Sequence, residues 1–341
     1  MNTTFYIGAG ASANALPVIN SIPEKIKLLL EKIKSLQNQF VDSVILEGTE
    51  NTNERAAFKK FISELENLRD KSHEHHTIDT YAKKLWLNGN YNELDRLKIS
   101  LSLYLSCEQI LNGCDYRYDF FWASILNRDS NSLPKNLKII SWNYDLQFEI
   151  SFDYFQGQNL SGGIDQPIRK LNVRSKHTKG ENDVNKFSMY KINGSASYFQ
   201  RSGFWNYTFG DPSRSLIDKR TVLKLISDLI SQENRDVTCG LSYSWEEDFA
   251  EVKVIDKAVE GTVETDTLVI IGYSFPFFNR DADKKILTSM TNLKKVYIQS
   301  KEPKSIKERV MAIRPDLKSE DVIEIINLNE FYIPNDIVFE Y

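Results

Sequence analysis

Short runs of aliphatic and β-branched residues alternate along this chain with longer stretches of helical periodicity. Two of the short runs, Lys138–Ser141 and Leu268–Gly272, are apolar on both faces of the strand they would form. Strands of this kind are typical of parallel sheets that are covered by helices on both sides. The alternation therefore predicts an α/β fold in which crossover helices connect parallel strands.

The candidate strands are Thr4–Gly8, Leu137–Trp142, Ser188–Ile192, Thr267–Tyr273, Lys295–Gln299 and Val322–Asn327. A helix is predicted to begin near Ser21, where Ser21 and Glu24 have the spacing of a capping box. From residue 53 to residue 127 the periodicity is helical throughout, which is far longer than an ordinary crossover. The Gly-, Asn- and Lys-rich stretch Gly157–Asn185 is predicted to be a loop.

The predicted architecture is a Rossmann-like parallel sheet with a large helical insertion and a smaller second lobe. The core is assigned to residues 1–52, 128–195 and 262–341, the helical insertion to 53–127, and the smaller lobe, a possible partner or lid region, to 196–261.

Composition excludes several classes of function. Lys and Arg number 43 against 47 Asp and Glu, a net charge of −4, which argues against direct nucleic-acid binding and against binding to anionic lipid. The three cysteines form no CxxC pair, so no four-cysteine zinc ribbon is expected. No apolar run is long enough to span a bilayer and no basic stretch precedes the first one, so we expect a cytoplasmic protein without a membrane segment.

Small and polar residues follow the predicted strands. Gly8-Ala9-Gly10-Ala11-Ser12 comes directly after the first strand, where backbone amides could hold a pyrophosphate or where the chain makes an ordinary tight turn. Asn143 and Asp145 follow the second, either facing a ligand crevice or forming an Asx turn.

Two further strands end in the same way, with Asn193-Gly194-Ser195 and with Gly272-Tyr273-Ser274. Each motif alone is compatible with a structural role. Ligands of open α/β sheets bind outside the carboxyl ends of the strands, so four such ends in one sheet favour a shared binding site.

Taken together, these motifs resemble the sirtuin-like NAD-consuming proteins of bacterial antiphage defence. The resemblance rests on the order and separation of Gly8-Ala9-Gly10-Ala11-Ser12, Ile22-Pro23, Trp142-Asn143-Tyr144-Asp145, Asn193-Gly194-Ser195 and Gly272-Tyr273-Ser274, with Ile78–Leu85 similar to the family's helical insertion. It covers the Rossmann-like core and is weaker in the central aromatic region.

For the nicotinamide side of NAD⁺, the resemblance implies three catalytic positions. Asn143 matches the asparagine that contacts the nicotinamide ribose and orients water, and Asp145 matches the acid that holds the carboxamide. Asn193 stands where the family usually carries histidine, with Ser195 as a neighbouring binding residue.

For the remainder of NAD⁺, the resemblance implies a phosphate cradle formed by Gly8, Ala9, Gly10, Ala11 and Ser12. Gly272, Tyr273 and Ser274 would line the phosphate and adenosine side, and Gln299 would lie near the adenosine ribose.

The implied activity is hydrolysis of NAD⁺, the substrate, to nicotinamide and ADP-ribose in an abortive-infection response. Relatives pair with DNA-translocating ATPases of the HerA type, with short Argonautes or with inosine-triphosphate-pyrophosphatase-like subunits, so activation by a protein partner or by homo-oligomerisation is expected. The missing zinc ribbon argues against protein deacylation.

Asn193 leaves alternatives open, because an amide does not titrate near neutral pH and is no general base. The chain is a weak or partner-activated hydrolase, a catalytically impaired NAD- or ADP-ribose-binding subunit of a defence complex, or an enzyme whose histidine has been replaced.

Overall fold

A computed structural model describes residues 1–32, 34, 52–75, 77–127, 132–158, 163–178, 181–201, 204–207, 238–249 and 253–341. The chain forms two compact units. Unit 1 comprises Met1–Ala13, Cys114–Ser195 and Ser242–Tyr341, and unit 2 comprises Asn14–Gly113 and Ala196–Leu241.

The strands in chain order are β1 (Thr3–Ile7), β2 (Leu137–Ser141), β3 (Val173–Arg174), β4 (Ser188–Lys191), β5 (Gly194–Arg201), β6 (Phe204–Tyr207), β7 (Thr238–Leu241), β8 (Thr267–Ile271), β9 (Lys295–Gln299) and β10 (Val322–Ile325). Seven of them form a parallel sheet in the order β10-β9-β8-β1-β2-β4-β3. A second sheet has the order β6-β5-β7, with β5 and β6 antiparallel.

The helices in chain order are α1 (residues 22–32), α2 (Thr52–Glu74), α3 (Ile78–Leu87), α4 (Tyr91–Asn112), α5 (Arg117–Ile125), α6 (Gln147–Phe155), α7 (Asp165–Lys170), α8 (Val254–Thr262), α9 (Arg280–Ser289) and α10 (Pro303–Ile313). Short 3₁₀ turns lie at Ala9–Ser12, Ile19–Ser21, Ser244–Phe249, Phe277–Asn279 and Ser319–Asp321. Among the residues described, no helix has both the length and the apolar character that a membrane span requires.

The predicted Rossmann-like α/β fold is confirmed, because the central strands are buried on both faces. Every residue of β1, β2 and β8 is buried. Tyr6 of β1 packs on one face among a core cluster that includes residues of α8 and α9. On the other face the Phe5 ring meets Phe121 of α5 edge-on, at a centroid distance of 5.1 Å.

The two units divide the chain differently from the predicted boundaries. The helical character of the insertion is confirmed in its described residues, but α5 belongs to unit 1 because Phe121 and Trp122 pack against Phe148 of α6. The predicted lobe 196–261 is also divided: β6 and β7 lie in unit 2, whereas α8 lies in unit 1. Residues 208–237 of that lobe lie outside the described residues.

The predicted loop Gly157–Asn185 contains two regular elements, α7 and β3. The prediction was wrong there because elements of six and two residues are too short to show a periodicity. β3 nevertheless completes one edge of the parallel sheet by pairing with β4.

Candidate functional site

The strands that carry the four polar motifs are neighbours in the sheet, in the order β8-β1-β2-β4. Backbone hydrogen bonds continue past their ends: the Gly8 amide donates to the Ile271 carbonyl at 2.9 Å, and the Trp142 amide donates to the Ile7 carbonyl at 2.9 Å. The four motifs therefore lie side by side at the carboxyl edge of the sheet, where open α/β folds bind ligands.

The glycine turn after β1 packs directly on the turn after β8. A Cβ atom on Gly8 would lie 2.5 Å from the Tyr273 Cα, and one on Gly10 would lie 2.8 Å from the Gly272 Cα. Gly272 itself has a φ of +63°, and its own Cβ would lie 2.4 Å from the Ala11 amide nitrogen. These glycines are required by the contact between two turns, and the Gly10 amide donates within it, to the Gly272 carbonyl at 2.9 Å.

The hydroxyl of Ser12 joins the glycine turn to the segment that follows β2. It donates to Asp145 Oδ2 at 2.7 Å and accepts from Asn143 Nδ2 at 3.2 Å, and it also bonds the Tyr118 hydroxyl at 2.7 Å. Because a carboxylate only accepts and an amide NH₂ only donates, the Asp145 and Asn143 bonds fix the direction of the hydroxyl proton. We call Ser12, Asn143 and Asp145 the serine junction.

Asn143 and Asn193 are both buried, and the Nδ2 of each side-chain amide donates a hydrogen bond to another part of the protein. Asn193 Nδ2 donates to the Trp142 carbonyl at 2.9 Å, as Asn143 Nδ2 does to Ser12. Their Oδ1 atoms are buried and have no hydrogen-bond donor among the described residues. Such an oxygen can only accept, so the sheet edge holds two buried acceptors of the kind that a hydroxyl, a carboxamide NH₂ or water satisfies.

A buried charged group lies under the serine junction. The Lys191 ammonium donates to Glu149 Oε1 at 3.0 Å and to the Asp145 carbonyl, and both ionic side chains are about fully buried. Burial raises the pKa of Asp145, and Lys191 and the Ser12 hydrogen bond act in the opposite direction. Burial likewise raises the pKa of Glu149, and the charge and hydrogen bond of Lys191 act in the opposite direction. With both carboxylates ionised, the group carries one excess negative charge beside Asn143.

The remaining predicted residues differ in what they do. The Tyr273 ring lies in the core, stacked on Trp142 at a centroid distance of 5.0 Å, whereas the Cα and Cβ of Tyr273 border the glycine turn. Ser274 is exposed, and its carbonyl accepts from Arg309. Ser195 is buried beside Gly194.

Gln299 binds the C-terminal part of the chain. Its amide donates to the carbonyls of Asn327 and Glu330, each at 2.6 Å, and accepts from the Tyr332 amide at 3.0 Å. All of these partners belong to the segment that follows β10. Gln299 therefore ties this segment to the end of β9, and the place near the adenosine ribose that the family resemblance implies for it stays a prediction.

Sequence reasoning missed Asp283, a buried acid in the first turn of α9. It accepts from the Tyr6 hydroxyl at 2.6 Å and from the Tyr273 hydroxyl at 3.1 Å. Burial raises its pKa to about 7, and the two tyrosine hydrogen bonds lower it. Periodicity does not reveal which of the two acids in this helical turn, Asp281 or Asp283, meets a distant tyrosine.

The loop after β8 is strained at Phe275, which has a φ of 51° although it is not glycine. A bulky residue in this region is unusual and is held there by its surroundings. The Phe275 ring stacks on Tyr6 at 5.7 Å, and its carbonyl accepts from Arg309 at 3.4 Å. The strain lies at the same edge of the sheet as the glycine turn.

Among the described residues no group of three or more His, Cys, Asp and Glu side chains is arranged to hold a metal ion. No protein-family model matches the chain, and no curated protein is significantly similar to it.

Proposed function

We propose that this chain is an NAD⁺ glycohydrolase, which cleaves NAD⁺ to nicotinamide and ADP-ribose as the effector of an antiphage defence system. The observation that carries the proposal is the serine junction. It brings the glycine turn, the asparagine and the acid together within hydrogen-bond distance, although Ser12 and Asn143 are 131 residues apart. The defence role is supported by the family resemblance of the motifs.

The polar groups at this edge suit the proposed substrate. The acceptor oxygens of Asn143 and Asn193 match the ribose hydroxyls and the carboxamide NH₂ of NAD⁺, all of which can donate. Asn143 would hold the nicotinamide ribose and a water molecule, and Asp145 would hold the carboxamide.

The electrostatics suit the proposed reaction. Breaking the nicotinamide–ribose bond gives neutral nicotinamide and an oxocarbenium-like sugar, which water attacks with loss of a proton, as in glycoside hydrolysis. The half-buried Asp145 and the buried pair of Glu149 and Lys191 together carry an excess negative charge when both acids are ionised, and such a charge stabilises positive charge that develops on the sugar. A preorganised charge of this kind accelerates bond breaking without a general base.

A nicotinamide-release assay on Asn143→Ala tests the proposal. We expect the variant to lose nicotinamide release, because the water and the ribose lose their ligand. Asn136→Ala is the matched control: Asn136 is also buried in unit 1, where its Nδ2 bonds the Met1 and Val338 carbonyls before β2 begins, at the opposite edge of the sheet. Equal loss in both variants, or no effect of Asn143→Ala on an active wild-type protein, would contradict the proposed site.

A second candidate is a catalytically impaired NAD- or ADP-ribose-binding subunit, which Asn193 favours. Its amide is engaged with the Trp142 carbonyl and supplies no titrating base. ADP-ribose binding measured by calorimetry, without nicotinamide release alone or with proteins encoded beside the chain, would support this candidate over the hydrolase.

We also propose that activity depends on an oligomer or a protein partner, since an enzyme that destroys a central cofactor has to be silent at rest. Assays of the cytoplasmic protein alone, at increasing concentration, and with its genomic neighbours distinguish these modes of activation.

A further inference from the structure

The buried guanidinium of Arg117 lies beneath the end of the glycine turn. Its Nη2 donates to the Ala11 carbonyl at 2.8 Å and to the Gly10 carbonyl at 3.3 Å. These carbonyls close the 3₁₀ turn Ala9–Ser12, and a cation is favourable at the carbonyl end of a helical turn. The next residue, Tyr118, bonds the Ser12 hydroxyl at 2.7 Å. The start of α5 thus holds three consecutive residues of the turn.

Arg117 is itself held on its other sides. Asp115 pairs with it at 2.5 Å, and Nη1 donates to the Leu328 carbonyl at 3.3 Å. The Phe331 ring lies 5.4 Å from the guanidinium carbon. Leu328 and Phe331 belong to residues 326–332, which we call the C-terminal strap and which Gln299 ties to the end of β9.

Each nitrogen of the Arg117 guanidinium therefore has a hydrogen-bond acceptor, and Nη2 holds the turn that ends at Ser12. We propose that Arg117, backed by the C-terminal strap, is a positioning residue that fixes Ser12 so that its hydroxyl aligns Asn143 and Asp145 for reaction. This inference rests on the proposed NAD⁺ hydrolysis for its kinetic consequence and on the contacts alone for its structural one.

Arg117→Lys keeps the charge beside Asp115 but loses the planar fork that reaches both carbonyls. We expect kcat for NAD⁺ hydrolysis to fall about 10–100-fold, with KM changed by less, because a misplaced catalytic group costs rate rather than binding. Tyr118→Phe, which removes only the hydroxyl that holds Ser12, is expected to act in the same direction and serves if the lysine variant does not fold.

Arg314→Lys is the matched control. Arg314 is buried in unit 1, pairs with Asp316 two residues away, and donates to the carbonyls of Leu287 and Met290 at 2.9 and 3.0 Å. It has the same chemistry as Arg117 but holds a different segment. We expect its variant to lose stability without losing kcat in the fraction that remains folded. An equal loss of kcat in both variants would overturn the proposal.

A double-mutant cycle tests whether Arg117 acts through Ser12. If it does, Arg117→Lys has little further effect on kcat in a Ser12→Ala background, whereas independent effects multiply. Multiplying effects would overturn the positioning role.

Hydrogen–deuterium exchange separates this inference from the proposed function. Faster exchange across residues 8–13 in Arg117→Lys, but not in Arg314→Lys, is expected whether or not the wild-type protein releases nicotinamide. Absence of nicotinamide release with faster exchange would reject the proposed activity and retain the positioning contact. Unchanged exchange would reject the contact.

Discussion

Replacing Asp283 by asparagine removes one buried ionisable group from the core of unit 1 with little change of shape. Its carboxyl contacts two tyrosine hydroxyls, of Tyr6 and Tyr273, and Tyr273 also accepts from Asn279 Nδ2 at 3.1 Å. Asparagine keeps an acceptor for one tyrosine but presents an NH₂ group to the other. We therefore expect a pH-independent cost of about 1 kcal/mol from one poorly made hydrogen bond.

The pH-dependent part of the stability change caused by Asp283→Asn has the opposite sign, because it favours the variant. Burial raises the pKa of Asp283 from 3.8 to about 7, so the unfolded chain loses this proton first as the pH rises. Unfolding therefore releases a proton between about pH 4 and about pH 7. Over this interval the contribution of Asp283 to the free energy of unfolding of the wild-type protein decreases as the pH rises. Between about pH 5 and about pH 8 the loss amounts to about 3 kcal/mol, which the asparagine variant does not suffer.

The assay is the thermal midpoint of unit 1, measured for both proteins at several pH values. The midpoint of Asp283→Asn relative to wild type should rise by about 6–12 °C between about pH 5 and about pH 8, since 1 kcal/mol corresponds to about 2–4 °C for a unit of this size. Asp281→Asn, an exposed change of the same charge on the same helix, is the control. A difference between Asp283→Asn and wild type that stays constant with pH would refute the raised pKa and the buried network behind it.

Two other substitutions follow from the site. Asn193→His introduces a titrating base at the strand end and should raise nicotinamide release by about 10²–10⁴-fold near neutral pH if the site lacks only that base; an unchanged rate in a folded variant would argue against it. Lys191→Met leaves Glu149 buried without its cation and should lower the free energy of unfolding, measured with urea, by about 3–5 kcal/mol, whereas Lys191→Met combined with Glu149→Leu should recover most of the loss. A double variant as unstable as the single one would contradict the ion-pair explanation.

The sheet could be predicted from the sequence because its central strands are buried on both faces. Their apolar character is then continuous, and all six predicted strands lie in the observed parallel sheet. The strand of this sheet that was missed, β3, has two residues and carries no such signal. The three strands of the second sheet, β5, β6 and β7, were also not among the predicted strands. The division into units also escaped prediction, since the assignment of α5 depends on an aromatic contact with β1 far away in the sequence.

Part of the candidate site could be predicted for a related reason. In a parallel sheet all carboxyl ends share one edge, so polar residues after neighbouring strands come together whatever their separation along the chain. Which polar groups serve that edge is a different question. Gln299 also ends a strand, but its side-chain amide binds a segment that comes later in the chain. Lys191 has no distinguishing feature in the sequence, and only the structure shows that it pairs with Glu149.

The serine junction and the charges beneath it are costly to build. Burying Glu149 and Lys191 beside the half-buried Asp145 costs desolvation that their attraction offsets only in part, and apolar residues of similar size are often as stable. The two amide oxygens, which have no donor in the part of the chain that the structure describes, add a further cost. A sequence selected only for stability would place apolar side chains at this edge of the sheet, as it does on the face of β1 where the Phe5 ring meets the Phe121 ring. The costs concentrate where four strand ends meet, and a ligand that donates to those oxygens and develops positive charge there would offset them.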